Sequence, residues 1–110
     1  MQNRPHMIVR MKIDPAYEEE FNQWYNHDYL DSLQSIAPLF TNCTRMVAEE
    51  GGDKVYLSVY EIKDEDSIEA ALAVFDREER QGHRVQWKAW EKKAVKEIEA
   101  HVYRPIYSWK

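Results

Sequence analysis

The segment FNQWYNHDYL, residues 21–30, decides the fold prediction because it places four aromatic side chains and one carboxylate on neighbouring faces of one predicted helix. At about 100° per residue, a helix that starts at Tyr17 forms a single apolar stripe. The residues predicted within an arc of about 100° are Trp24, Tyr17, Asp28, Phe21, Ser32 and Tyr25. Asp28 lies near the middle of this arc, so the sequence predicts an acid that faces the core.

An acid on a core-facing stripe must find a partner or change its protonation state, and Asp28 therefore has two interpretations. In the first, Asp28 reaches an arginine, such as Arg10 or Arg45, or a tyrosine hydroxyl, and only supports packing. In the second, Asp28 is the polar centre of a ligand site and exchanges a proton with the ligand.

The composition is typical of one compact domain over residues 1–110, with 1–6 expected to be a flexible N-terminal extension. The net charge of -5 disfavours binding to nucleic acid or to an anionic membrane. Because no apolar run resembles a membrane span or a signal peptide, a cytoplasmic protein is expected. Cys43 is the single cysteine, which excludes an internal disulfide and favours a small buried residue over a nucleophile.

The hydrophobic pattern follows the order strand, helix, strand, strand, helix, strand. Asp14 followed by Pro15 predicts a helix start, with the acid as N-cap and the proline in the first turn. Strands are predicted over 7–13, 40–48, 55–62 and 98–107, and helices over 15–36, 64–80 and, after a break at Gly82, 85–95. This order predicts an α+β, ferredoxin-like βαββαβ fold, a four-stranded antiparallel sheet with both helices on one face.

The second face of that sheet is predicted to need a cover. In the third strand, Val55, Leu57 and Val59 are expected to face the helices, and Tyr56, Ser58, Tyr60 and Ile62 the opposite side. The latter set is too aromatic for a face left wholly in water. A second copy of the same sheet would cover it, which predicts a homodimer through the open sheet face. A monomer with a wet tyrosine face is the alternative.

Motifs in both halves of the chain carry a resemblance to a known family. They are Phe21-x-x-Trp24-Tyr25, the acid at Asp28, Pro38-x-Phe40 and Arg45, then Gly82, Trp87, Trp90 and Tyr103-Arg104-Pro105-Ile106-Tyr107. With these motifs the chain resembles the EthD-like members of the dimeric α/β-barrel superfamily. The resemblance implies a ferredoxin-like protomer, a homodimer and a pocket between helices and sheet. The superfamily includes cofactor-independent monooxygenases, lactone isomerases, polyketide cyclases and haem-degrading enzymes, so the fold does not fix the reaction.

One position departs from the family pattern. Relatives usually follow the Trp-Tyr pair with an acid and then a histidine, and these two positions are Asp28 and Tyr29 in this chain. His27 is not a substitute, because a helix turns it to the outward side. Proton transfer is therefore expected to fall to Asp28, Tyr29 or a residue of the strands.

The predicted site combines polar and aromatic residues. The catalytic candidates are Asp28, Tyr29 and Arg45, and the substrate-binding candidates are Trp24, Tyr25, Tyr56, Trp87 and Tyr103. The predicted function is that of a homodimer that binds a small aromatic or polyketide-like molecule, with cofactor-free proton transfer, isomerisation or oxidation as its chemistry. A non-catalytic ligand-binding or accessory protein of the same fold is the alternative.

Neither a metal nor a cofactor is predicted. The four histidines, His6, His27, His83 and His101, include no pair at the spacing that places two ligands on one helix face. Haem is the less favoured alternative, and it would require His83 or His101 to face a roomy cavity.

Overall fold

The protein, described by a computed structural model over residues 4–36, 39–77 and 81–109, folds around one four-stranded sheet. The strands are β1 His6–Ile13, β2 Phe40–Glu50, β3 Asp53–Ile62 and β4 Val95–Tyr103. The helices are α1 Glu18–Trp24, α2 Leu30–Ile36, α3 Ile68–Ala73 and α4 Gln81–Lys93. The strand order is β2-β3-β1-β4 with antiparallel neighbours, and the helices pack on one face, so the predicted ferredoxin-like fold is confirmed.

The first helical segment begins where the sequence predicts. The Asp14 carboxylate accepts a hydrogen bond from the Ala16 N–H at 3.0 Å, and Pro15 opens a short 3-10 segment, Pro15–Tyr17. Three glutamates then occupy the first turn of α1, near the positive end of the helix dipole. Local capping chemistry therefore fixes the point at which the chain leaves β1 and crosses the sheet.

Between α1 and α2 the chain forms a π turn, Tyr25–Tyr29, in which the Leu30 N–H donates to the carbonyl of Tyr25. Because a π turn holds one more residue than an α-helical turn, the side chains of residues i and i+4 point in nearly the same direction across it. The residues that face the core are Phe21, Tyr25, Tyr29 and Leu33. The prediction that Asp28 faces the core is wrong: it assumed α-helical rotation throughout, and Asp28 is exposed.

The facing of β3 is the reverse of the prediction. Tyr56, Ser58, Tyr60 and Ile62 are buried beneath the helices, whereas Val55, Leu57 and Val59 lie on the open face of the sheet. The two tyrosine rings can be buried because each hydroxyl has a partner, the Glu18 carboxylate for Tyr56 and the phenol of Tyr25 for Tyr60. The aliphatic set is therefore the one left without a covering layer in the protomer.

Several predicted boundaries are corrected. Gly82 does not break a helix but lies in the first turn of α4, and the preceding helical segment ends earlier, where Arg77 becomes extended with ψ 145°. β4 begins at Val95 and ends at Tyr103, because its pairing with β1 covers that span and no further. Pro38 and the predicted helix end at residue 80 lie outside the described residues.

Residues 4–6, expected to belong to a flexible extension, are held against the sheet. His6 opens β1, the Pro5 carbonyl accepts from the Ile62 N–H at 2.9 Å, and Arg4 Nη1 lies 2.9 Å from Glu61 Oε1. Residues 1–3 are outside the description. Within the described residues, no helix is both long and apolar enough to cross a membrane.

The β2–β3 hairpin turns at Gly51 and Gly52, which have φ of 61° and 88°. Positive φ at both central residues is the geometry that matches the twist of a tight hairpin, and glycine adopts it without a steric penalty. The turn therefore sets the register that brings Arg45 opposite Ser58 on the helix-facing side.

We expect Gly52→Ala to lower the free energy of unfolding by about 1 kcal/mol, because an L side chain is strained at positive φ. Gly51→Asn is the matched control, since asparagine tolerates the left-handed region and is favoured in such turns. Urea unfolding of both variants measures the difference. An equal loss in the two variants would contradict the assigned turn geometry.

Candidate functional site

An open cleft of about 230 Å³ lies between α4 and the helix-facing side of the sheet, towards the β4 edge. Its apolar walls are Met7, Val9, Phe75, Trp87, Ile98 and Ala100, and its polar groups belong to Tyr25, Tyr29, Tyr60 and Arg84. A mainly apolar concavity with a few polar groups is the usual form of a small-molecule site. We take this cleft as the candidate site.

A pair of buried tyrosines contributes to the cleft. The hydroxyls of Tyr25 and Tyr60 share a hydrogen bond in which either can donate. Burial, the main cause, raises the pKa of both phenols far above the ordinary tyrosine value. Both therefore remain protonated at neutral pH, and neither is a base there. One of the two protons is used in their shared hydrogen bond, and the other can be donated to a ligand oxygen. The ring of Tyr29 lies 4.9 Å from that of Tyr25 and extends this aromatic surface.

Ser58 lies next to this pair on β3 and is fully buried. Its hydroxyl is close enough to the phenol of Tyr25 to offset part of the rise in that pKa. At full hydrogen-bond geometry, however, Ser58 Oγ has no partner among the described residues. Ser58 is therefore a polar neighbour of the pair and not a third member of it.

The aromatic wall of the cleft is supported from behind. Trp87 lines the cleft, and Trp24 stacks on it with ring centroids 6.3 Å apart and an interplanar angle of 18°. The Trp24 indole N–H donates to Gln86 Oε1 at 2.9 Å, which fixes the ring against α4. Trp24 thus positions Trp87 and does not itself line the cleft.

Arg45 lies against the ring of Tyr25 and outside the cleft. Its Cζ is 4.4 Å from the centroid of Tyr25 and 5.2 Å from that of Tyr56. Arg45 Nη1 donates to the side-chain oxygens of Asn22 and Asn26 at 2.9 and 3.0 Å, respectively. Nε and Nη2 are buried and have no hydrogen-bond partner within the described residues. Burial is the main influence on the guanidinium and lowers its pKa.

Tyr56 belongs to a polar network beside Arg45 and not to the cleft. Its hydroxyl donates to the Glu18 carboxylate and accepts from Asn22 Nδ2 at 3.2 Å, and Lys54 Nζ lies 3.1 Å from Glu18 Oε1. The hydrogen bond from Tyr56 is the main reason that the pKa of Glu18 is lowered. Tyr56 therefore anchors α1 to β3 and is not placed to contact a ligand in the cleft.

Two further predicted site residues are not brought to the cleft. Asp28 is exposed on the outer surface of the first helical segment, beside Trp24 and His27. Tyr103 is 51% exposed and pairs with His6, which places it on the open face of the sheet. Among the predicted residues, the structure therefore brings together Tyr25, Tyr29 and Trp87, with Trp24 and Arg45 in contact with them.

The sequence interpretation missed two polar residues of the cleft. Tyr60 was assigned to the wrong sheet face, although its alternation with Tyr56 and Ile62 would have indicated burial had the tyrosines been assigned to the core. Arg84 could not be predicted from the sequence, because its position depends on the turn after α3. In the structure, Arg84 Nη1 lies 3.0 Å from Asp76 Oδ1 and donates to the Phe75 carbonyl at 3.2 Å. It adds a positive group to the cleft.

Within the described ranges, no cluster of three His, Cys, Asp or Glu side chains is arranged to hold a metal ion. Neither histidine considered for haem ligation, His83 or His101, lines the cleft. His101 instead faces the open side of the sheet, opposite Ile8. The haem alternative therefore gains no support from the positions of these side chains.

Comparisons with known proteins show that the fold is shared. A ferredoxin-like protein described as dimeric, from an uncultured marine organism, has a TM-score of 0.73 and 13% identity, with 98% of this chain and 100% of that chain covered. A variant of SnoaB, a cofactor-independent oxygenase from Streptomyces nogalater, has a TM-score of 0.68 and 15% identity, with 97% of each chain covered.

A monooxygenase from the gene ActVA-Orf6 of Streptomyces coelicolor, in complex with nanaomycin D, has a TM-score of 0.65 and 10% identity, with coverage of 98% of this chain and 92% of that one. Comparisons with protein-family profiles and with curated proteins give no match. At these identities the structural likenesses establish the ferredoxin-like fold of the protomer, and neither its oligomeric state nor its reaction.

Cys43 is half-buried on β2, and burial raises the pKa of its thiol to about 11, although nearby Arg45 opposes this rise. The thiol is then protonated at neutral pH, which agrees with its interpretation as a small packing residue. We expect iodoacetamide to alkylate Cys43 slowly at about pH 8 and faster as the pH rises towards about 11, because only the thiolate reacts.

Mass spectrometry of the alkylated protein over a pH series measures this dependence. A matched control carries Cys43→Ser together with Gln23→Cys, which moves the thiol to the exposed surface of α1. Equal alkylation rates for the two proteins at about pH 8 would contradict a protonated, buried Cys43.

Proposed function

We propose that the cleft binds a small, planar organic molecule of aromatic or polyketide-like character. The observation that carries the proposal is the pair of buried, protonated tyrosine hydroxyls beside apolar walls. Trp87 and Ile98 offer apolar surfaces to a flat ring system, and the hydroxyl pair of Tyr25 and Tyr60 can bind a carbonyl or hydroxyl oxygen.

The arrangement favours recognition by hydrogen bonds over acid-base exchange with the protein. No histidine, aspartate or glutamate is among the described residues that line the cleft. The tyrosines can donate to a ligand oxygen, and their donation strengthens if that oxygen gains negative charge. The contribution of Tyr29 is to complete the aromatic surface next to Tyr25. Asp28 is left out of this proposal because it lies outside the cleft.

A second candidate function is cofactor-independent catalysis on the same ligand. It is favoured by the fold shared with SnoaB, described as a cofactor-independent oxygenase, and with the ActVA-Orf6 monooxygenase. In an isomerisation or oxidation of this type, hydroxyl donors would stabilise an enolate or phenolate while the apolar walls exclude water. To test for oxidation, the protein is mixed with hydroxylated naphthalenes or anthracenes, and oxygen consumption is measured without added flavin, haem or metal.

We also propose that the chain is an EthD-like homodimer. The Trp24-Tyr25 pair and the aromatic residues of α4 support the family assignment. The open face carries an aliphatic strip, Leu57, Val59 and the half-exposed Met46, beside ion pairs of Arg10 and Lys12 with Glu50 and Glu97. The aliphatic strip supports a second copy as its cover. The face differs from the one first predicted, but the physical reason for covering it is the same.

The cleft proposal predicts that nanaomycin D quenches tryptophan fluorescence through Trp87. Tyr60→Phe should weaken this binding by about fivefold to tenfold, the effect of one lost hydrogen bond. Ala100→Trp should abolish binding by filling the cleft. Tyr107→Phe is the control, because this residue is 80% exposed, lies past the end of β4 and does not line the cleft. Unchanged affinity in Ala100→Trp would place the ligand elsewhere.

The dimer proposal predicts twice the protomer mass in analytical ultracentrifugation at micromolar concentration. Leu57→Glu places a charge in the middle of the open face and should shift the protein to monomer. Gln23→Glu adds the same charge on the exposed side of α1 and should leave the dimer intact. A monomeric wild-type protein would exclude the proposal.

A further inference from the structure

Arg45 is a cation without a counter-charge among the residues that the structure describes. The chain has 20 acidic residues, yet Arg45 forms no ion pair with any described residue, and its only hydrogen-bond acceptors are the neutral amides of Asn22 and Asn26. Two of its nitrogens are buried without a partner. The faces of the Tyr25 and Tyr56 rings offset part of the cost of burying this charge, but they supply no counter-charge, so the position of Arg45 calls for an explanation beyond stability.

The position of Arg45 relative to the cleft supplies an explanation for its burial. Its guanidinium lies 4.4 Å from the ring centroid of Tyr25, and the same tyrosine lines the cleft and shares a hydrogen bond with Tyr60. A ligand oxygen bound by this hydroxyl pair would therefore lie one aromatic ring away from an unneutralised positive charge. In a site of low dielectric constant such a charge acts over this distance.

We propose that Arg45 makes the cleft select the ionised form of a weakly acidic ligand, a phenolate or an enolate, with Arg45 acting as a positioning residue through Tyr25. The proposal rests on the proposed function, because it requires that the cleft bind a ligand. It narrows the substrate class from planar organic molecules to planar enols and phenols that are bound as anions.

The other charges around the cleft agree with this selection. The titratable groups that face it or the tyrosine pair are Tyr25, Tyr29, Tyr60, Cys43, Arg45 and Arg84. Arg84 is partly neutralised by Asp76 at 3.0 Å, whereas the raised pKa values of Tyr25, Tyr60 and Cys43 keep these three groups neutral at neutral pH. Glu18 and Lys54 neutralise each other beyond Tyr56. Arg45 is therefore the charge that the immediate surroundings leave unbalanced.

The expected effect is measurable. At a separation of about 10 Å and an effective dielectric constant of about 20, one positive charge favours the ionised form of a bound acid about tenfold, a shift of about one pKa unit. 4-Nitrophenol is a suitable probe because its neutral and ionised forms absorb at different wavelengths. 4-Nitroanisole has nearly the same shape, cannot ionise and is the matched neutral probe.

Each probe is bound to the intact protein over a pH series. The absorbance of bound 4-nitrophenol gives its pKa, and the affinity is measured for both probes. In the wild-type protein, the pKa of bound 4-nitrophenol should be lower than that of the free probe. Arg45→Met should remove about one pKa unit of this shift, Arg45→Lys should restore part of it, and 4-nitroanisole should bind all three proteins equally. Arg104→Met is the control for the removal of an exposed cation, because Arg104 pairs with Glu65 and lies past the end of β4.

The outcomes separate the two proposals. If both probes bind but the pKa of 4-nitrophenol is not lowered, or is lowered equally in Arg45→Met, the anion selection is wrong and the cleft proposal stands. If neither probe nor nanaomycin D binds the wild-type protein, the proposed function fails and the inference fails with it. A wild-type titration without lowering already contradicts the anion selection, and Arg45→Lys tests the contribution of Arg45 if Arg45→Met does not fold.

Discussion

The hydrogen bond between the phenols of Tyr25 and Tyr60 joins the first helical segment to the middle of the sheet, and much of the structure depends on it. It allows two large rings to be buried with their polar ends satisfied, which decides which face of β3 is covered. Because the tyrosine-bearing face of β3 is covered by the helices, Val55, Leu57 and Val59 lie on the open face. The same pair contributes the hydroxyls of the cleft, so a single interaction links the core, the uncovered surface and the candidate site.

The π turn makes this interaction possible. An uninterrupted α-helix would rotate Tyr25, Tyr29 and Leu33 progressively away from Phe21, because a step of four residues exceeds one α-helical turn. The additional residue in Tyr25–Tyr29 removes most of that drift and aligns the four side chains over the sheet. π turns occur often at functional sites, where they re-aim side chains. Here the turn aims Tyr25 and Tyr29 at the cleft and turns Asp28 outward.

The sequence was sufficient for the fold because capping, alternation and turn residues are local signals. Asp14 and Pro15 started the helix, and Gly51 and Gly52 closed the hairpin. The site was less predictable, since a helical wheel cannot anticipate a π turn and strand alternation alone does not say which face is inward. The aromatic candidates Tyr25 and Trp87 were found because they lie on strong apolar periodicities. Tyr60 and Arg84 required the tertiary arrangement.

The Tyr25–Tyr60 pair and Arg45 differ in their effect on stability, and this difference bears on the function of the site. The tyrosine pair is satisfied within the protein and adds to stability, so its burial needs no ligand to explain it. Arg45 is different, because within the described part of the chain two of its buried nitrogens have no hydrogen-bond partner and its charge has no counter-charge, both of which lower stability. An aliphatic side chain could pack against Tyr25 and Tyr56 without that cost. A positive charge retained beside the cleft is therefore better explained by an interaction that only a bound anion completes.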